Sequence, residues 1–262
     1  MDAASHTAGV GPYAEPVIEH DPANCVWYHC MDLPGVGYVH GPWDLRGQFA
    51  AYTANVDMVG KSVLDIGTAS GFLSFSAEAA GASRVVSFDM DNASRQTLQP
   101  FSDSLYFTDH ETWVKEQTAY IDRWKAGYWM AHRALGSQAK AVYGDVYRMP
   151  PAIGQFDVVL FCAVLEHLSD PIAALASVSR HAADRLVIGA YVPAPIAEPM
   201  AWFLGQASNP ASASVHWAYS LPVYAEVLAM LGFEIERHET AMFPGPGGAP
   251  SPRTTIVARR VR

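Results

Sequence analysis

The stretch Val63-Leu64-Asp65-Ile66-Gly67-Thr68-Ala69-Ser70-Gly71-Phe72 decides the fold of this chain. Its first residues have the apolar character of a buried strand, and two glycines then form a turn into a helical run. Gly67 lets the backbone approach a ligand closely, and Gly71 allows tight packing at the helix start, where N–H groups are unpaired. Parallel sheets bind nucleotides at such a turn, although an ordinary glycine turn has the same sequence signature.

The chain around and beyond this stretch alternates short apolar runs with helical stretches. This alternation predicts an α/β fold with a seven-stranded, mostly parallel sheet and helices on both faces. Helices are expected after Gly71, after Pro171 and over residues 222–231. The predicted strands cover residues 62–66, 84–88, 139–143, 156–161, 185–191, 233–238 and 253–259.

The connection between Asp89 and Asp145 is longer than such a unit requires. It carries apolar residues at helical spacing and ends in Gly136, which predicts a helical insert over 95–137. The start of the chain, 1–21, is punctuated by proline and has no periodicity, so we expect a loose arm. An aromatic-rich cap segment over 22–60 then precedes a Rossmann-like domain over 61–262.

Composition excludes several classes of function. The net charge is −9 and there is no long Lys/Arg run, so nucleic-acid binding is not expected. No stretch has the apolar length of a membrane span, and three scattered cysteines are typical of a reducing compartment, the cytoplasm. The spacing of Cys25, His29 and Cys30 fits no usual zinc site, so no metal is expected.

Acids follow the next two predicted strands. Asp89 is suited to accept hydrogen bonds from both hydroxyls of a ribose, and Asp145 to accept one from an adenine amine. An NAD-binding domain would place an acid similarly. However, Ala69 occupies the position of the second glycine of a pyrophosphate-binding turn. This difference argues against an NAD-linked oxidoreductase.

This ordered set, continued by the acid and apolar strand at 156–161, resembles the class I S-adenosylmethionine-dependent methyltransferases over residues 62–259. The resemblance implies an antiparallel last strand and S-adenosylmethionine as cofactor. Its methionine end would lie over Gly67–Gly71, with Asp65 orienting the turn and the amino group. The cofactor contacts that the resemblance implies are Asp65, Gly67, Thr68, Gly71, Asp89 for the ribose, Met90, Asp145 and Val146 near the adenine, and Cys162.

A narrower resemblance begins upstream, in Trp27-Tyr28-His29, 31–35 and 43–46, and continues in 165–171. These motifs look like bacterial proteins grouped with the wobble-uridine tRNA carboxymethyltransferases. Since the chain lacks a basic surface, we expect a small-molecule acceptor instead of tRNA. A tRNA-modifying enzyme and a non-catalytic cofactor-binding or scaffolding protein stay open as alternatives, and the oligomeric state is open too.

Methyl transfer is an in-line displacement that depends on alignment, and it needs a base only if the acceptor must lose a proton. His167, just beyond the fourth strand, is the candidate catalytic base; the alternative is that it only packs there. Methylation of oxygen is favoured over nitrogen. The candidate substrate contacts are His29 and Arg46 from the cap, Arg46 being suited to a carboxylate or phosphate, then Tyr128, Trp129 and His132 from the insert, and Trp217.

Overall fold

The computed structural model describes residues 12–193 and 195–262. The strands are β1 (Met31–Leu33), β2 (Gly37–Val39), β3 (Ser62–Ile66), β4 (Arg84–Met90), β5 (Lys140–Gly144), β6 (Phe156–Cys162), β7 (Ala182–Ala190), β8 (Ala201–Phe203), β9 (Trp217–Tyr219), β10 (Phe233–Pro244) and β11 (Pro250–Arg260). The α-helices are α1 (Phe49–Tyr52), α2 (Phe72–Ala79), α3 (Leu105–Thr108), α4 (His110–Leu135), α5 (Pro171–Ser179) and α6 (Leu221–Met230).

Seven of these strands form one sheet in the order β10-β11-β7-β6-β3-β4-β5. The pairs β3–β4, β4–β5, β3–β6 and β6–β7 are parallel, whereas β11 is antiparallel to both β7 and β10. The predicted fold class and the antiparallel last strand are confirmed. Successive strands run outward from β3 to β5, and the chain then returns to β6 on the other side of β3. Ligands bind where strand order reverses in this way, at the carboxyl ends of β3 and β6.

The sheet is buried on both faces because successive residues of a strand point to opposite sides. On β3, Val63 packs into a core shared with Phe75 of α2 and Tyr128 of α4. Its neighbour Leu64 packs into the opposite core, with Leu175 of α5. Strands covered on both sides by helices are therefore apolar almost throughout, which is the pattern that the sequence carries.

Local signals fix the helix ends. The Asp170 side chain accepts a hydrogen bond of 2.9 Å from the Ala173 N–H at the start of α5, and Pro171 occupies its first turn. Gly136 ends α4 in the left-handed conformation, as predicted. No helix within residues 12–193 and 195–262 has the length and apolar character needed to cross a membrane.

Two boundaries differ from the prediction. The last two predicted strands, 233–238 and 253–259, extend further than expected, because β10 and β11 pair with each other as far as Pro244 and Pro250. Residues 1–11 of the predicted arm lie outside the described residues, and the remainder is not loose. The Ala14 N–H donates to the Ala141 carbonyl of β5 at 2.8 Å, and the Arg133 guanidinium of α4 donates to the Val17 carbonyl at 3.0 Å.

Candidate active site

A cavity of about 310 Å³ opens at the carboxyl ends of β3, β4 and β6. Four parts of the chain line it: the turn after β3, the end of β4 with the segment after it, the loop after β6, and a wall from the cap and α4. The lining residues include Tyr28, His29, Trp43, Tyr52, Gly67, Ala69, Asp89, Met90, Arg95, Gln96, Thr97, Leu98, Gln117, Tyr120, Ile121, Trp124, Cys162, Val164 and His167.

The turn after β3 is built against the neighbouring strand and the loop after β6. Gly67 has φ +75°, and a Cβ added there would lie 2.4 Å from the Val164 Cγ2 atom. Its N–H donates to the Phe88 carbonyl of β4 at 2.8 Å. Only glycine satisfies both the backbone conformation and this close contact.

Asp89 ties the end of β4 to the same turn. Its Oδ2 atom accepts a hydrogen bond from the Ala69 N–H and its Oδ1 atom one from the Met90 N–H, each at 2.7 Å. Burial raises the pKa of the Asp89 carboxyl, and these two hydrogen bonds act in the opposite direction. Each carboxylate oxygen keeps a further lone pair, so the group can still accept two hydroxyls from a ligand in the cavity.

Asp65 lies beneath the turn, fully buried. Its Oδ2 atom accepts a hydrogen bond of 2.7 Å from the Ser74 hydroxyl, which also contacts the hydroxyls of Thr68 and Ser87. Its Oδ1 atom has no hydrogen-bond partner within the described chain. Burial raises the pKa of the Asp65 carboxyl to about 6. Asp65 and Thr68 therefore support the turn from below and do not line the cavity, and Gly71 is not a lining residue either.

The cap supplies the aromatic wall. Tyr28, Trp43 and Tyr52 line the cavity, and the Tyr28 and His29 N–H groups both donate to the Ser70 hydroxyl of the turn, at 3.3 and 3.2 Å. The cap is thus bonded directly to the turn after β3. His29, 7% exposed, also lines the cavity.

His167 lies at the exposed edge of the cavity. Its Nδ1 atom is 2.9 Å from the Ser214 carbonyl oxygen. A carbonyl only accepts, so this contact requires a proton on Nδ1 and leaves Nε2 with a lone pair in the neutral ring. The geometry is therefore compatible with proton transfer at Nε2.

Comparison with known proteins decides the family. A family model described as "Methyltransferase domain" matches residues 44–238, from the cap through β6 into β10. This chain belongs to the methyltransferase family. The methyl donor of that family is S-adenosylmethionine. The match spans the glycine turn, Asp89 and the loop that carries His167, whereas the lining residues Tyr28, His29 and Trp43 of the methyltransferase precede it.

Two solved structures of similar fold are methyltransferases. The magnesium protoporphyrin IX methyltransferase from Synechocystis with bound SAH is 18% identical, with a TM-score of 0.50, and the match covers 82% of this chain and 81% of that one. The mitomycin 7-O-methyltransferase is 18% identical, with a TM-score of 0.50 and coverage of 83% and 54%. A search of curated protein sequences found no match.

Four predicted cofactor contacts line the cavity of the methyltransferase, and five do not: Asp65, Thr68 and Gly71 at the turn, and Asp145 and Val146. Gly67, Asp89, Met90 and Cys162 line it. Asp145 does not, because its carboxylate accepts from the Tyr147 N–H at 2.9 Å and caps a short 3₁₀ turn, and Val146 lies within that turn. The cavity wall there is formed instead by the segment after β4, Arg95, Gln96, Thr97 and Leu98, for which the sequence carries no recognisable signal.

The insert lines the cavity with a different part of α4 from the one predicted. Gln117, Tyr120, Ile121 and Trp124 are lining residues. Of the predicted residues, Tyr128 and Trp129 are buried in the core and His132 is half-buried. The Tyr128 hydroxyl donates to Ser87 at 2.9 Å, and the His132 Nε2 atom is 3.0 Å from the Ala139 carbonyl oxygen. Their expected role as substrate contacts is thereby corrected.

Arg46 and Trp217 also lie away from the cavity. The Arg46 guanidinium is exposed and pairs with Asp32 and Asp44, each at 2.8 Å, so its charge is already matched on the surface. The Trp217 N–H donates to the Ser169 carbonyl at 3.2 Å, and its ring packs on Phe203. Neither residue is a cavity-lining contact, contrary to the expectation from sequence.

Proposed function

We propose that this protein transfers the methyl group of S-adenosylmethionine to an oxygen atom of a small, ring-bearing metabolite. The observation that carries the proposal is one continuous cavity, which joins the glycine turn and Asp89 to an aromatic wall and two histidines. Such a cavity brings a cofactor and a compact acceptor within reach of each other, which is the main requirement of an in-line displacement.

The residues present fit the cofactor. The cradle at Gly67 has no room for a side chain, Asp89 keeps lone pairs for two ribose hydroxyls, and Asp65 has a buried oxygen without a partner in the described chain. The aromatic faces of the wall suit a cationic sulfonium. When bound, the cofactor supplies an electrophilic methyl group on sulfur. The protein's contribution is to hold the acceptor in line and to exclude water.

The charges of the cavity favour a small acceptor over tRNA. Asp89 and Arg95 are its only lining residues with charged side chains within the described chain, and Arg95 is paired with Asp91 at 2.8 Å. A nucleic acid needs several unpaired cations along its phosphates. Oxygen is favoured over nitrogen because a hydroxyl must lose its proton during transfer, and two histidines line the cavity.

Calorimetric titration with S-adenosylmethionine, its demethylated product and NAD tests the cofactor assignment. We expect the first two to bind and NAD not to bind. Asp89→Ala removes the ribose acceptor and should weaken both affinities at least tenfold, since a hydrogen bond to a charged group contributes about 1.5–3 kcal/mol. The matched control is Asp184→Ala, which removes a surface carboxylate paired with Arg185. Binding of NAD alone would overturn the proposal.

A transfer assay separates the remaining alternatives. The protein is incubated with methyl-labelled S-adenosylmethionine and either a small-metabolite extract or bulk tRNA at low and high salt. The proposal expects label in an ether or ester of the small fraction. Label in tRNA, lost at high salt, would favour the tRNA-modifying alternative. Tight cofactor binding without any transfer would favour the non-catalytic one.

A further inference from the structure

We propose that His29 is the catalytic base of the transfer, and that the acceptor is an uncharged phenol or enol, a hydroxyl carried by an unsaturated ring. This inference rests on the proposed function and makes it specific. It assigns the proton transfer to the buried histidine of the cap, where the sequence pointed to His167.

His29 is held rigidly at the cavity wall. Its N–H donates to the Ser70 hydroxyl, and its ring lies 5.3 Å from the Phe72 ring of α2 and 4.9 Å from the Tyr28 ring. The backbone around it is closely packed, since a Cβ at Gly41 would meet the Tyr28 carbonyl carbon at 2.5 Å. Such support is what a catalytic group needs in order to act without reorganising.

One ring nitrogen of His29 remains for the acceptor. The Nδ1 atom is buried and has no hydrogen-bond partner in the described chain. Since the ring lines the cavity, Nε2 is the nitrogen available to a ligand. With the proton of the neutral ring on Nδ1, Nε2 presents a lone pair to a hydroxyl.

The surroundings of His29 keep the ring neutral. The rings of Tyr28 and Phe72 pack against it, and no charged side chain of the described residues contributes to its pKa. Burial lowers the pKa of the His29 ring to about 3. The unprotonated form is therefore present throughout the physiological pH range.

A low pKa in the resting site does not prevent His29 from accepting a proton, because the reaction conserves the charge of the cavity. The acceptor oxygen forms a bond to the methyl carbon while the carbon–sulfur bond breaks, and the electron pair of the carbon–sulfur bond goes to sulfur. The O–H bond breaks at the same time and an N–H bond forms at Nε2. One positive charge leaves the sulfonium and one appears on the imidazole. The oxygen becomes strongly acidic as it bonds to the methyl carbon, so even a weakly basic ring takes its proton, and the ring later releases that proton to water.

The same cavity defines the class of acceptor. Its lining includes the aromatic rings of Tyr28, Trp43, Tyr52 and Trp124, and its lining cation, Arg95, is paired. Carboxylates or phosphates would be buried there without a partner, at a cost of several kcal/mol. A planar, uncharged ring fits the wall, and its hydroxyl is un-ionised, so a base is required.

The test uses two probe phenols and three single variants of the full chain. The probes are 2-naphthol, which is un-ionised at neutral pH, and 4-nitrophenol, which is already ionised at pH 8. The variants are His29→Asn, His167→Asn as the rival base, and His238→Asn, an exposed histidine on β10, as control. We expect His29→Asn to lose about 10²- to 10⁴-fold in kcat with 2-naphthol and to lose far less with 4-nitrophenol, with cofactor affinity unchanged.

Each other outcome overturns the inference. An equal loss with both probes makes His29 a packing residue, and the selective pattern in His167→Asn makes that residue the base. Cofactor binding without methylation of either phenol by the unmodified protein rejects the acceptor class, whereas absent cofactor binding rejects the proposed function itself. If His29→Asn does not fold, NMR of ¹⁵N-labelled histidine in the unmodified protein decides: a His29 Nε2 resonance that does not shift when 2-naphthol binds contradicts the assignment.

Discussion

At the scale of single residues, two aspartates on adjacent strands have opposite electrostatic environments. Asp65 on β3 is fully buried, receives one hydroxyl hydrogen bond, and has its pKa raised to about 6 by burial. Asp157 on β6 accepts hydrogen bonds from both the backbone N–H and the hydroxyl of Ser62, each at 2.7 Å, which lower its pKa. The two carboxyls therefore affect stability with opposite signs as pH changes.

Asp65→Asn should abolish one component of the pH dependence of stability. The folded state holds the Asp65 proton more tightly than the unfolded chain does, so this carboxyl contributes stability at low pH that is lost as pH rises from about 4 to about 6. Relative to the unmodified protein, the variant should gain on the order of 3 kcal/mol in unfolding free energy across that range. Urea unfolding at a series of pH values measures the difference.

Asp157→Asn is the control of opposite sign. The pKa of Asp157 is lowered in the fold, so its contribution is present at neutral pH and disappears as pH falls through the folded value. This variant should be destabilised at pH 7 and approach the unmodified protein in acid. For Asp65→Asn, the contradicting result is a difference in unfolding free energy from the unmodified protein that stays constant between pH 4 and 6. Asp65 would then not be a buried carboxyl that titrates in this range.

At the scale of elements, the cap is attached to the turn after β3 through Ser70. Its buried hydroxyl accepts from the Tyr28 and His29 N–H groups, which have no other backbone partner among the contacts of the described chain. Ser70→Ala should leave two donors unsatisfied and cost about 1–3 kcal/mol. Hydrogen exchange at the Tyr28 and His29 amides should accelerate, while that of the strands of the main sheet is retained.

Ser83→Ala is the matched control for this change. The Ser83 hydroxyl donates to the Gly60 carbonyl at 2.9 Å on the exposed surface, where water replaces the lost hydrogen bond. We expect a change within about 0.5 kcal/mol and unaltered exchange in the cap. Equal effects of the two substitutions would mean that Ser70 does not anchor the cap.

Local sequence patterns predict the elements well and the cavity only in part. The β3–Gly67 turn and Asp89 are recognised because a buried strand, a glycine turn and an acid are adjacent along the chain. On α4, periodicity identifies the face that points inward. It does not identify which turns of the helix pack on the sheet and which extend past the sheet edge to the cavity. Tyr128 was predicted to line the pocket, whereas Trp124, one turn earlier, does so. The segment that begins at Arg95 has no periodicity, and its position depends on distant contacts.

At the scale of the whole molecule, three distant parts of the chain meet at a buried ion pair. The Arg253 guanidinium of β11 lies 3.1 Å from the Glu166 carboxylate in the loop after β6, and the two side chains are 11% and 8% exposed. The guanidinium also lies 5.0 Å from the centre of the Trp43 ring of the cap. The last strand, the loop that carries His167 and the cap thereby share one electrostatic contact behind the cavity wall.

Removal of one partner of this pair should cost more than removal of both. Arg253→Met leaves the Glu166 carboxylate buried without its cation, and Glu166→Gln leaves the guanidinium without its anion, so each should lose about 3–5 kcal/mol. The double variant leaves neither charge and should lose less than the sum of the two. Urea unfolding of all four proteins measures the coupling, with Glu236→Gln and Arg185→Met, an ion pair of 3.0 Å nearer the surface, as the control cycle.

Additive losses in the Glu166–Arg253 cycle would mean that the pair is hydrated and does not join the cap to the sheet. If both single variants also bind the acceptor more weakly while their cofactor affinity is intact, the ion pair supports the aromatic wall. The reason is that Trp43 contacts the Arg253 guanidinium and also lines the cavity.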